Sequence, residues 1–122
     1  MKITLLSDTS LRLDASEGAM TIEASSAEMQ YSPFHMLGSA LAYCTWSVMQ
    51  SWATHAKLEA SGLAIEVRWE FAEDPHRVGA IHMTYDWPGL PEQRRAAAKR
   101  VAETCAIHRT LHIPPHVTTE PA

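Results

Sequence analysis

Between residues 2 and 24, apolar and polar positions come in short alternating runs. Lys2 to Leu6, Ser10 to Asp14 and Ala19 to Ala24 read as two or three short strands, separated by Ser-Asp-Thr and Ser-Glu-Gly. Leu11 and Leu13 alternate with Arg12 and Asp14, the period of a strand with one solvated face. Residues 25–32 form a polar loop, and then the period lengthens. Phe34, Leu37, Leu41, Cys44, Val48, Trp52 and His55 step by three or four and share one face of a helix. Ser32 suits its N-cap and Pro33 its first position. The helix is predicted to reach about Leu58, near the stop signal Ser61-Gly62, with a length of about 38 Å. Met36, Ala40, Met49, Ala53 and Ala56 broaden its apolar surface. Such a helix is expected to be buried on most sides, and a homodimer supplies the surface to bury it.

Alternation then returns. Leu63 to Ala72 and His76 to Asp86 read as a hairpin around Glu73-Asp74-Pro75. In its second strand, Val78, Ala80 and His82 are expected on one face and Gly79, Ile81 and Met83 on the other. Pro88-Gly89 breaks the chain. Glu92 to Thr104 is predicted as a second helix, with Ala97, Val101 and Cys105 along one side and Cys105 at its end. Ala106 to His112 continues as a turn of helix until Pro114-Pro115, and His116 to Thr119 is expected to close the sheet as a final strand. The order β-β-(β)-α-β-β-α-β gives an α+β class. One domain over residues 1–122 is expected, with a mostly antiparallel sheet against the long helix.

Composition adds exclusions. The chain has 122 residues, 46% hydrophobic and 20% charged, the size and balance of one globular domain rather than a disordered chain. The net charge of −4 argues against a nucleic-acid or membrane surface. Arg94, Arg95, Lys99 and Arg100 then read as the solvated face of the second helix. Neither a secretory signal nor a membrane span is expected, which points to the cytoplasm and to reduced thiols.

That gives the two cysteines, Cys44 and Cys105, two readings. Each suits the role of a small buried hydrophobe. Alternatively, one thiolate attacks an oxidant to give a sulfenic acid, and the other condenses with it as a disulfide. Cys105, His108 and His112 also stand three and four apart, a spacing that can present a metal set on one helical face. Solvated or capping histidines explain the same spacing, and no metal or other cofactor is assigned.

Two segments carry a resemblance. SPFHMLGSALAYC, with Pro33 eleven residues before Cys44, is similar to the Pro-Glu-x-Leu…Ala-x-x-x-Cys helix of the OsmC/Ohr family, that is, osmotically inducible protein C and organic hydroperoxide resistance protein. AETCAIHRTL, with Cys105 and Leu111, resembles that family's Cys-Pro-Val-x-x-x-Leu segment. The resemblance implies an OsmC-like fold, an intertwined homodimer and thiol-dependent reduction of organic hydroperoxides. It makes Cys44 the peroxidatic thiolate and Cys105 the resolving thiol, with a dithiol as reductant and no bound redox cofactor. Phe34, His35 and Leu37 become the substrate-pocket candidates. Phe34 stands where the peroxidases carry Glu, and Cys-Ala-Ile stands for Cys-Pro-Val. Arg12 is the sole Arg before the helix, and it suits a strand surface as well as a site. His35 is a candidate substitute cation, although it lies about 13 Å along the helix axis from Cys44. These departures support a second expectation, a binding protein of the same fold for a small apolar ligand.

Overall fold

The computed structural model describes residues 3–7, 10–13 and 32–122. The chain divides into two compact units, Met1–Gln30 and Tyr31–Ala122. In the first, β1 (Ile3–Ser7) and β2 (Ser10–Leu13) form an antiparallel hairpin with Leu5 opposite Leu11. The strand expected at Ala19 to Ala24 lies outside the described residues, as do the side chains of this hairpin, including Arg12.

The second unit begins with α1 (Pro33–Ala56). Its start follows from three residues. The Ser32 hydroxyl accepts the His35 amide at 3.3 Å, and His35 Nδ1 accepts the Ser32 amide at 3.2 Å. This is a reciprocal capping box with His in place of the usual Glu or Gln. Pro33 follows at the first helical position, where a missing N–H costs nothing. The helix ends earlier than the Ser61-Gly62 signal suggests. Lys57 turns left-handed at φ 56°. Its N–H reaches Thr54 O at 3.2 Å, and that of Leu58 reaches Ala53 O at 2.8 Å. These two bonds close a Schellman motif without glycine.

The buried face of α1 is Gly38, Leu41, Thr45, Met49 and Ala53. Only Leu41 belongs to the predicted apolar stripe. Cys44, Val48 and Trp52 flank the buried line and are half-buried. The expected burial on most sides is not found within this unit, since Met36, Tyr43 and Trp46 remain 40%, 41% and 38% exposed. Hydrophobicity counting misses Gly38 and Thr45 because they are buried for their size. A Cβ at Gly38 would lie 3.4 Å from the Trp69 ring and 3.6 Å from a Val67 methyl. The absent side chain therefore lets the helix lie close to the sheet.

That sheet is the antiparallel hairpin of β3 (Ala64–Ala72) and β4 (Arg77–Asp86). Ile65, Val67 and Trp69 lie on its half-buried face, as the alternation predicts. In β4 the predicted alternation fails midway. Glu70 pairs with Ala80 but Phe71 with Val78, so Gly79 is an extra, bulged residue. The bulge changes the phase. Val78 and Ala80 are half-buried, but so are Ile81, Met83 and Tyr85, while His82 turns outward beside Glu70 at 3.8 Å.

After β4 the chain turns through Trp87, whose indole N–H donates to Glu59 O at 2.8 Å. The predicted helix Glu92 to Thr104 is a single 3-10 turn (Glu92–Arg94) followed by α2 (Arg95–Ala102). Cys105 does not end it. With φ −53° and ψ 133° this residue is extended, so α3 (Ala106–His112) is a separate helix that starts from it. The final strand at His116 to Thr119 is not formed. Residues 113–122 have no regular structure, with Ile113 80% and Val117 79% exposed. Pro114 and Pro115 offer no backbone donors, and no described strand pairs with the tail.

The core lies at the far end of α1. Met49, Ala53, Leu63, Trp87, Leu90, Ala98 and Ala102 pack together, with Trp52 edge-on to Trp87 at 6.0 Å. It ties α1 and α2 together and leaves the first half of α1 to the hairpin and α3. Met49→Ala is expected to lower stability by about 2–5 kcal/mol in urea denaturation, since Met49 is fully buried. Gly79→Ala, whose Cβ would fall 2.7 Å from that of Ala72, is expected to cost about 1–3 kcal/mol by forcing the bulge to shift. A Gly79→Ala protein as stable as the parent would show that the bulge does not hold the hairpin in phase.

Candidate functional site

The site is built where α1 meets α3. Cys44 lies near the middle of α1, one turn after Leu41. Cys105 lies three residues after Ala102 and immediately before α3. Separated by 61 positions in sequence, the two thiols are brought by the fold close enough for each to influence the other's proton. Both are free, and no disulfide joins them.

Their surroundings are unequal. Cys44 is half-buried and Cys105 has no exposed surface. Burial pushes the Cys44 thiol up, and the neighbouring Cys105 pushes it further. Burial also raises Cys105. Its polar neighbours outweigh burial, Cys44 first, then the His108 amide, Thr45 and the Ile107 amide, and bring the Cys105 thiol below its ordinary value. The direction follows from placement. Cys105 is the N-cap of α3, where free amides point outward and its Sγ accepts the His108 N–H at 3.4 Å. Cys44 sits inside α1, where the backbone amides are already bonded along the helix. Of the two, Cys105 is therefore the thiol displaced toward the thiolate and Cys44 the one displaced away from it. Among the described residues, none of these principal influences is a cation.

The sequence does not single out Thr45. It is fully buried, and its hydroxyl has no partner in ordinary hydrogen-bond geometry. Its signal is positional: it follows Cys44 directly and stands four residues from both Leu41 and Met49, on the buried face.

A cavity of about 580 Å³ lies among α1, β4, α2 and α3. Leu37 and Leu41 of α1 line it together with Val78, Ile81, Met83 and Tyr85 of β4. Lys99 and Glu103, with His108 and His112 of α3, contribute polar groups. Leu41, Ala102 and His108 each stand three residues from one of the cysteines, but neither cysteine itself lines the cavity.

Of the three pocket candidates, Leu37 lines this cavity. Phe34 and Leu37 line a smaller apolar recess with Val67 and Trp69. Phe34 packs edge-on against Phe71 at 4.9 Å, and His35 caps α1 while its ring meets Trp69 edge-on at 5.1 Å. The structure thus brings Cys44 and Cys105 together, places Leu37 in the cavity wall, and employs Phe34 and His35 in packing and capping. His108 and His112 stack at 5.5 Å. Among the described residues no group of three or more His, Cys, Asp or Glu is placed to hold a metal. Arg94, Arg95, Lys99 and Arg100 are exposed, as a solvated face requires, and Arg95 pairs with Glu92 at 2.6 Å. No described helix is long and apolar enough to cross a membrane.

A family profile described as OsmC-like protein matches residues 25–120. The chain belongs to the OsmC-like family. The match takes in α1, the β3–β4 hairpin, α2 and α3, and therefore both cysteines. A solved structure from Psychrobacter arcticus 273-4, described as an osmotic stress induced and detoxification response protein, is similar in fold with a TM-score of 0.63. It is 24% identical over 69% of this chain, and the chain spans 62% of its length. No curated protein matches the sequence. An α+β, OsmC-like fold is thus established from both sequence profile and shape.

One consequence can be checked by thiol chemistry. Replacing Cys105 by Ala removes the neighbour that raises Cys44. The pH midpoint of Cys44 alkylation is expected to fall in Cys105→Ala, toward the ordinary thiol range. An unchanged midpoint would mean that the two sulfurs do not communicate.

Proposed function

We propose that this OsmC-like protein is a thiol-dependent peroxidase that reduces organic hydroperoxides with Cys44 and Cys105. The observation that carries the reading is the closeness of the two thiols, each of which shifts the other. A peroxidatic pair needs two sulfurs able to meet after oxidation, and these two are already neighbours before it.

The chemistry balances with one proton held between the sulfurs. Cys44 is the exposed partner and attacks the outer peroxide oxygen. As its S–O bond forms and the O–O bond breaks, its proton passes to the neighbouring Cys105 sulfur. The alkoxide leaves and takes a proton from water to become an alcohol. Cys44 is then a sulfenic acid. Cys105 attacks that sulfur, its proton leaves with the hydroxyl group as water, and a disulfide forms. A dithiol reduces the disulfide and restores the pair. Cys105 serves first as proton acceptor and then as resolving thiol. A thiol lowered by its amide and hydroxyl neighbours suits both tasks.

The cavity supports an apolar organic substrate, since its walls on α1 and β4 are hydrocarbon. The half-exposed Met36, Tyr43 and Trp46 on α1 support a homodimer, in which a second copy covers the apolar positions this unit leaves open. The same cavity favours a second reading, a binding protein for a small apolar ligand without efficient chemistry.

One experiment separates the two readings. Reduced protein is mixed with one equivalent of an organic hydroperoxide, and free thiols are counted by rapid quench. The peroxidase reading expects fast loss of both thiols and none of that fast phase in Cys44→Ser. In Cys105→Ser, one thiol is lost and a sulfenic acid persists at Cys44. Thiols that react no faster than free cysteine would remove the peroxidase reading and leave the binding protein.

A further inference from the structure

Two hollows lie along the first half of α1, the cavity of about 580 Å³ and the smaller apolar recess. Three side chains line both of them, Leu37 of α1 with Val78 and Ile81 of β4. A side chain with open space on two sides is a partition one residue thick. This wall depends on the bulge at Gly79. Residues three apart in a regular strand point to opposite faces, and the extra residue turns Val78 and Ile81 to the same one. Beyond the partition stand Phe34, Gly38, Val67 and Trp69. The recess they enclose is too narrow to admit a water, so it is a dry, apolar space.

The cavity on the other side of the wall has the size of a small-molecule pocket. Its polar groups are Lys99 of α2, Glu103 just after it, and His108 and His112 of α3. One cation, one carboxylate and two imidazoles both donate and accept hydrogen bonds. Such a mixed set suits a neutral hydroxyl-type group better than an anion or a cation. A hydroperoxide and the alcohol it yields both carry such an end. The hydrocarbon of α1 and β4 is left for the alkyl chain, and the partition closes that part of the cavity. Val78 and Ile81 are β-branched and stiff, and β4 holds them opposite Phe71 and near Trp69. Leu37 is a half-buried helix residue beside Gly38, whose missing side chain leaves the recess its room.

We propose that Leu37 sets the length of alkyl chain that this protein accepts, ending the cavity where the recess would otherwise extend it. The proposal rests on the cavity as the place of an apolar ligand, which the peroxidase and the binding protein have in common. It does not depend on the reactivity of either cysteine.

The test is calorimetric titration of the reduced full chain with straight alkan-1-ols, from hexan-1-ol to dodecan-1-ol. In the parent, affinity is expected to rise about fourfold with each added methylene and then to level where the chain meets Leu37. In Leu37→Ala the rise is expected to continue for about two further methylenes, which makes the longest chains bind about fifteenfold more tightly than to the parent. Adding Gly38→Ala to Leu37→Ala is expected to remove that gain, since the new Cβ falls 3.4 Å from the Trp69 ring, inside the recess. Short chains, which do not reach the partition, are expected to bind all three proteins alike. Should Leu37→Ala not fold, Leu37→Val takes its place, with a gain of about one methylene. Levelling at the same length in parent and variant would overturn the role of Leu37, as would a gain that Gly38→Ala leaves intact. A parent that binds none of the alkanols would overturn the ligand site itself. A shifted length limit in a protein inert to hydroperoxide would keep the role of Leu37 and remove only the peroxidase reading.

Discussion

The approach of two sulfurs from distant parts of the chain makes demands on every element around it. It requires a long helix to carry Cys44 into the interior and a second chain segment to present Cys105 against it. It also requires a chain break at Cys105, because a thiol inside a continuous helix would find no free amides. The extended backbone at Cys105 supplies that break, and α3 starts from it. The core formed by Met49, Ala53, Ala98 and Ala102 holds α1 against α2 a short distance away. Small residues on α2 allow the close approach. Gly38 does the same at the other end of α1, where the Trp69 ring takes the room of a side chain. The site is thus held between two packing contacts, each made by residues of minimal size.

Among the described residues, the principal influences on the two thiols are burial, each other, three amides and a hydroxyl, none of them charged apart from the thiols themselves. Neutral donors stabilise a thiolate less strongly than a cation does, but they act at fixed positions and are not screened by salt. The peroxidases that the sequence resembles carry Glu after the helix-starting Pro, where this chain has Phe34. Phe34 instead packs on Phe71, and His35 closes a capping box. The first turn of α1 is therefore used for fold stability, and the electrostatics of the pair are set near the middle of the helix and across from it.

Much of this was legible in the sequence because it is written in periodicity. The long helix, the hairpin and the cysteine-bearing segments follow from spacing and from resemblance. What periodicity could not show is where it is interrupted. One extra residue at Gly79 turns His82 outward and Ile81 and Met83 inward, and a glycine in a strand does not say whether it bulges. The separation of α2 from α3 was hidden because Thr104 and Cys105 carry no strong stop signal. The burial of Thr45 was hidden because its polarity argues for the surface, while its position opposite α3 decides otherwise. The tail at His116 to Thr119 has the composition of a strand, but a strand needs a neighbour, and none of the described residues provides one.

Everything about the site depends on Cys44 and Cys105 of one chain meeting. The direct measurement is disulfide mapping after mild oxidation of the dilute protein, with tryptic peptides separated without reductant. Trypsin places Cys44 in the fragment 13–57 and Cys105 in the fragment 101–109. The structure predicts that these two fragments appear joined, from protein that runs at monomer size under denaturing conditions. Fragments joined only between chains, or Cys44 joined to Cys44, would contradict the meeting of the two sulfurs within one subunit.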